Sequence, residues 1–170
     1  MRKRREARER AVQFLFQYDV NPAADLPAAL TQFWEATRMN AFLEGKGSTW
    51  GQRVEMPAPS AEDAATQIFG NELIHGVIER RQELDAIIQK HAKNWDLHRM
   101  AVVDRNVMRL AIYEMFYRDD IPPVVSINEA VDIAKKFSTH DSGKFVNGIL
   151  DKVKEEIQRP ARTAKENSET

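Results

Sequence analysis

Apolar positions recur along this chain every three to four residues, the spacing that lines one face of a helix. Ala7, Ala11, Phe14, Leu15 and Tyr18 follow the i, i+4, i+7, i+8, i+11 template. Leu26, Ala29, Leu30, Phe33, Trp34 and Thr37 predict a second helix. Phe69, Leu73, Val77, Leu84, Ile87 and Ile88 mark one face of a long stretch from about 61 to 92. Gly70 and Gly76 within it either break the helix or let another element approach closely. Residues 100–117 are apolar on nearly every side, which predicts a helix surrounded by others. Ser126-Ile127-Asn128-Glu129 has the spacing of a capping box and follows Pro122 and Pro123, so a helix is expected to start with Ser126 as its cap. Ile127, Ala130, Val131, Ala134 and Phe137 form its buried stripe. A last helix, from roughly Ser142 to Gln158, buries Val146, Ile149, Leu150, Val153 and Ile157. Gly148 inside it costs about 1 kcal/mol relative to alanine, and close helix packing would account for it. No segment alternates like a strand bounded by hairpin turns. The fold class is all-α.

Punctuation sets the organisation. Gly45, Gly47 and Gly51 lie beside Pro57 and Pro59, so residues 44–60 read as a long flexible loop. The end from Arg159 is polar and contains Pro160, which predicts a flexible tail over 159–170. With 170 residues, the chain forms one domain or two small bundles sharing a core.

Composition adds mainly exclusions. Lys plus Arg number 25 and Asp plus Glu 26, and the net charge of −1 selects no partner. Cysteine is absent, which excludes disulfides and thiolate metal sites and fits a reducing compartment. No run approaches the ~18 apolar residues of a membrane helix, and the start MRKRREARER lacks the apolar stretch of a signal peptide. The expected location is the cytoplasm, with no membrane association. His75, His91, His98 and His140 have no spacing that brings two onto one metal. Gly45-Lys46-Gly47-Ser48-Thr49 resembles a phosphate loop only superficially, because its lysine precedes the second glycine and no strand precedes the segment. Asp119-Asp120 and Glu155-Glu156 read as solvated charge. No catalytic residue, metal or cofactor is expected, and the protein is not expected to be an enzyme.

Charge is nonetheless uneven. Residues 1–10 carry six basic side chains against two acidic ones, a net of +4, leaving −5 on the remaining 160. Basic residues at a helix start oppose the helix dipole. Some of this charge can be absorbed by i, i+4 pairs such as Arg2–Glu6 and Arg5–Glu9, but a basic arm also suits nucleic-acid phosphates and unpaired bases. A second feature is Thr139-His140-Asp141-Ser142-Gly143-Lys144-Phe145. Phe145 falls about 100° away from the stripe centred on Val146, Leu150 and Val153. An aromatic there, beside Lys144 and free helix-start amides, suits base stacking with a phosphate contact. Packing of Phe145 under the preceding loop is the alternative.

At these residues the chain resembles the NusB family of bacterial transcription antitermination factors. The resemblance covers most of the chain: RREARERAVQFLFQYD, then FGNELIHGVIERRQELDAII, then VVDRNVMRLAIYEMFYRDDIPPVVSINEAVDIAKKFSTHDSGKFVNGILDKV. The last block is the specific one. The family usually has glycine after the phenylalanine where this chain has Ser138, and the 44–60 loop is longer than typical. The resemblance implies about seven helices in two small packed bundles, 1–95 with the basic arm and 96–158, and no catalysis. It implies binding of boxA-type single-stranded RNA together with NusE, the ribosomal small-subunit protein, within an RNA polymerase antitermination complex that supports ribosomal RNA transcription. Carried over by position, the RNA surface comprises Arg4, Arg5 and Arg8 with Asp141, Ser142, Lys144 and Phe145. His91 stands where the family can present an aromatic to RNA, yet also falls on the apolar stripe, where a core histidine fits equally well. Phe16, Asp104 and Tyr113 map to the NusE face. The alternative is a helical RNA-binding module like the N-terminal part of an RNA cytosine methyltransferase family, a reading that calls for a downstream catalytic domain.

Overall fold

The computed structural model describes residues 2–46, 51 and 55–168, with side chains described over 3–45, at 51 and over 55–157. Among the described residues there are seven α-helices and no strand. They are α1 (Arg2–Val20), α2 (Leu26–Lys46), α3 (Ala61–Glu79), α4 (Arg81–His91), α5 (Val102–Tyr117), α6 (Pro123–Phe137) and α7 (His140–Ser168), with a 3₁₀ turn at Leu97–Arg99. The all-α expectation holds. No helix among the described residues is long and apolar enough to cross a membrane.

The helix that is apolar on nearly every side lies at the centre. α5 packs against α1, α3, α4, α6 and α7. One core runs through the molecule, from Leu15, Leu73 and Ile74 through Met108 and Ile112 to Ile133 and Leu150. Gly70 and Gly76 serve close packing. A β-carbon on Gly76 would stand 2.1 Å from the Tyr113 ring, and one on Gly70 would stand 2.7 Å from Trp34. The 61–92 stretch does break, but at Arg80, whose N–H donates to the Gly76 carbonyl as α3 ends.

Three helix boundaries depart from the sequence reading. Ser126 is not a cap. α6 begins four residues earlier, with Pro122 in the cap position and Pro123 at the first helical position. There the fixed proline φ suits the helix and the missing N–H costs nothing. Ser126 is therefore buried one turn inside, its hydroxyl without a partner, and Glu129 has turned away to Arg5. The same Ser-x-x-acid spacing does form a capping box at α3, where Ser60 Oγ accepts from Asp63 N–H and the Asp63 carboxylate accepts from Ser60 N–H. α7 also continues through the expected tail to Ser168. Pro160 removes one donor there, but Ala161, Ala164, Lys165 and Glu166 are strong helix formers. Finally, α2 extends to Lys46, so it takes up the start of the expected 44–60 loop; residues 47–50 and 52–54 of that loop lie outside the described residues.

A charged hub ties the end of α1 to the centre. The buried Asp19 carboxylate accepts from Arg105 at 2.7 Å, Arg109 at 2.9 Å, Arg81 at 2.8 Å and the Asn106 amide at 3.1 Å. Burial alone would push this carboxyl up, but the Arg105 hydrogen bond and the charges of Arg109 and Arg105 outweigh it and hold it at about 2.

Candidate nucleic-acid interface

The basic arm is the first turns of α1, and its charges are largely taken. Arg8 is 3% exposed and donates three hydrogen bonds of 2.7–3.0 Å to the fully buried Glu114 of α5. It is a structural residue, not part of an RNA surface: the i, i+4, i+7 stripe of Ala7, Ala11 and Phe14 turns position 8 inward as well, onto a carboxylate in the core. Burial pushes the Glu114 carboxyl up, opposed by the Arg8 hydrogen bond and charge. Arg5 is exposed and holds Glu129 at 2.7 Å and Asp132 at 2.8 Å, so its ion partners are on α6 rather than at Glu9. Lys3 pairs with Glu62, and Arg4 lies 3.6 Å from Asp120 while covering the Phe69 ring at 4.7 Å. Of the three arginines carried over, Arg4 and Arg5 remain at the surface.

The start of α7 is built by a chain of hydroxyls. Thr139 Oγ1 accepts from Ser142 N–H at 3.1 Å, the cap pattern. Ser142 Oγ donates to Asp104 of α5 at 3.1 Å, which leaves Ser138 and Thr139 to donate to Ser142 Oγ. Ser142 is thus buried and orients the helix start, while Asp141 and Lys144 are exposed. Phe145 packs on the core with part of its surface still accessible, and its ring meets that of Trp95 edge to face with centroids 6.2 Å apart. His91 is likewise intermediate. It is largely covered, and its Nε2 lies 3.0 Å from Glu156 Oε1, which Lys90 also holds.

The three residues mapped to a NusE face fall in different settings. Phe16 is 40% exposed on α1, one turn before the exposed Val20. Tyr113 stacks on Tyr117 over Gly76 and is half-buried. Asp104 is 7% exposed and belongs with Ser142 under the start of α7. Its second oxygen is buried without a partner, and burial raises the carboxyl against the hydrogen bond from Ser142. The resemblance maps Asp104 to a partner face, but in the fold the start of α7 covers it.

Sequence reasoning missed Trp95. It lies in the polar turn Lys93-Asn94-Trp95-Asp96, outside any helical stripe, and is 56% exposed. A large ring stranded in a polar turn was the available signal. With Phe145 it borders a hollow of about 680 Å³, lined also by Lys90, His91, Lys93, Lys144, Gly148 and Lys152. A β-carbon on Gly148 would meet nothing within 4 Å, so close packing does not explain this glycine. Among the described residues, no three His, Asp or Glu side chains cluster to hold a metal ion.

Exposed rings beside unpaired lysines can stack bases and neutralise phosphates; nothing in the arrangement pairs a nucleophile with a base. Comparison with known proteins gives the family. The NusB family model matches residues 5–155. The transcription antitermination protein NusB of Thermodesulfovibrio yellowstonii is 41% identical over 156 residues, covering 91% of this chain and 94% of that protein. The solved NusB of T. maritima superposes with a TM-score of 0.68 at 33% identity, over 90% of this chain and 91% of that one. A chain in a complex of the antitermination factors NusB and NusE with dsRNA shares the fold, with a TM-score of 0.66 at 22% identity, over 91% of this chain and 98% of that one. The chain belongs to the NusB family of transcription antitermination proteins.

Proposed function

We propose that this protein binds boxA-type single-stranded RNA together with NusE and acts in the cytoplasm within an RNA polymerase antitermination complex that supports ribosomal RNA transcription. It works by binding and not by catalysis. The observation that carries the reading is the start of α7, where the exposed Lys144 stands beside the partly accessible Phe145 ring, itself set against Trp95. Stacking on Phe145 and phosphate contacts from Lys144, Arg4 and Arg5 form the RNA surface, with His91 and Asp141 at its edge. Ser142 and Asp104 position the helix start beneath it. Phe16 and Val20 on α1 supply an apolar contact for NusE, separate from the RNA face. Membership of the NusB family supports RNA and NusE as partners, and a chain in a complex of NusB and NusE with dsRNA shares the fold.

The test is equilibrium binding of a fluorescently labelled boxA-type RNA, with and without NusE. The RNA is expected to bind the protein alone and more tightly when NusE is present. Phe16→Asp is expected to abolish the NusE enhancement while sparing RNA binding by the protein alone. Equal binding of boxA-type and scrambled RNA, unaffected by NusE, would reject the reading.

A further inference from the structure

The hollow beside Phe145 holds more than one stacked base requires. Lys144, Gly148 and Lys152 are four residues apart and share one line along α7. The two lysines stand about 12 Å apart along the helix axis, and the glycine leaves a notch between them. Lys93 faces them from the turn after α4. Lys90 and His91 are engaged by Glu156. Lys93, Lys144 and Lys152 form no ion pair or hydrogen bond among the described residues, although carboxylates meet most of the basic side chains of α1. Trp95 completes the site. An edge-to-face pair covers at most one face of each ring, so the exposed indole keeps a face for a further base.

We infer that this groove carries the adjacent nucleotide of the same RNA strand, its base against Trp95 and its phosphates on Lys144 and Lys152, with Gly148 as the floor that lets the strand approach the helix. The inference rests on the RNA-binding reading of Phe145 and extends it by a second stacking residue and a direction, along α7 away from its start. The charge of the groove suits any anion, but paired rings of open face beside free lysines suit a nucleotide strand over an acidic peptide.

The experiment uses the full chain, a labelled boxA-type single-stranded RNA, and polyglutamate as an acidic competitor. Trp95→Ala is expected to weaken RNA binding by about 5- to 150-fold, the value of one stacked base. Lys152→Gln is expected to flatten the plot of log affinity against log salt by about 0.7, the value of one single-strand phosphate contact. Gly148→Ala, Gly148→Leu and Gly148→Trp are expected to weaken binding progressively with side-chain size. None should lower the thermal midpoint, since each replaces a poor helix former where the fold leaves space. If Phe145→Ala weakens RNA binding while the Trp95, Gly148 and Lys152 variants all match the parent protein, the groove is overturned and the Phe145 reading stands. If the parent protein binds no RNA, both fall. Displacement of the RNA by polyglutamate as effective as by unlabelled RNA of equal charge would make the groove a general anion surface and overturn the stacking role of Trp95.

Discussion

Two basic regions of this molecule differ in what their charges are free to do. The start of α1 is the conspicuous one, with six basic residues among the first ten. Yet Arg8 is committed to a buried carboxylate, Arg5 to two on α6, and Lys3 to Glu62. The groove along α7 draws Lys93, Lys144 and Lys152 from positions scattered over 60 residues, and among the described residues none has an ion partner. Formal charge along a sequence is therefore a poor measure of charge available to a polyanion. What counts is whether the fold has already supplied a counter-charge.

The contrast is tested most severely at Arg8. Truncation to alanine strands the Glu114 carboxylate in the core and is expected to cost about 3–5 kcal/mol of stability, read by urea unfolding, with RNA affinity per folded molecule unchanged. A stable Arg8→Ala protein that binds RNA weakly would return Arg8 to the RNA surface. The opposite end of α1 gives the next effect. The Asp19 carboxyl is held at about 2, below the ordinary 3.8, so its contribution is present above about pH 4 and is lost as pH falls through 2. Asp19→Asn is expected to remove about 2 kcal/mol at neutral pH and to flatten the acid limb of the stability curve. Glu114 has the opposite sign: its raised carboxyl favours folding most at low pH, so it adds nothing to acid unfolding. Arg5→Gln is the mildest change. Exposed ion pairs are worth about 0–1 kcal/mol, so stability should barely move. The salt dependence of RNA binding should flatten by no more than one phosphate contact, about 0.7.

Much of the fold was legible because burial imposes the helical period, and α5, apolar all round, announced its central place. Boundaries were less legible, for identifiable reasons. Ser60 and Ser126 head the same Ser-x-x-acid spacing, but only Ser126 follows a proline already placed to open the helix, and that proline took over the start. At the site, Lys144 and Phe145 were readable from their angle to the buried stripe. Arg8 was not, because its partner Glu114 lies 106 residues away and pairing across helices leaves no local pattern. Asp104 was misplaced for a similar reason: α7 covers it, and the hydroxyl that binds it comes from Ser142. Trp95 and the groove lysines converge from separate elements, and no spacing rule within one helix brings them together.

Phe145 is the residue on which RNA binding turns, and the measurement is unfolding free energy and boxA-type RNA affinity on the same variants. Phe145→Ala is expected to lose about 1–3 kcal/mol of RNA binding while losing less stability than the ~3–5 kcal/mol of a fully buried phenylalanine, because the ring packs on the core without being fully buried. Phe145→Trp is expected to keep most of the affinity, since it retains a stacking face. A loss of stability of the full core size, with RNA affinity of the folded protein unchanged, would contradict the account.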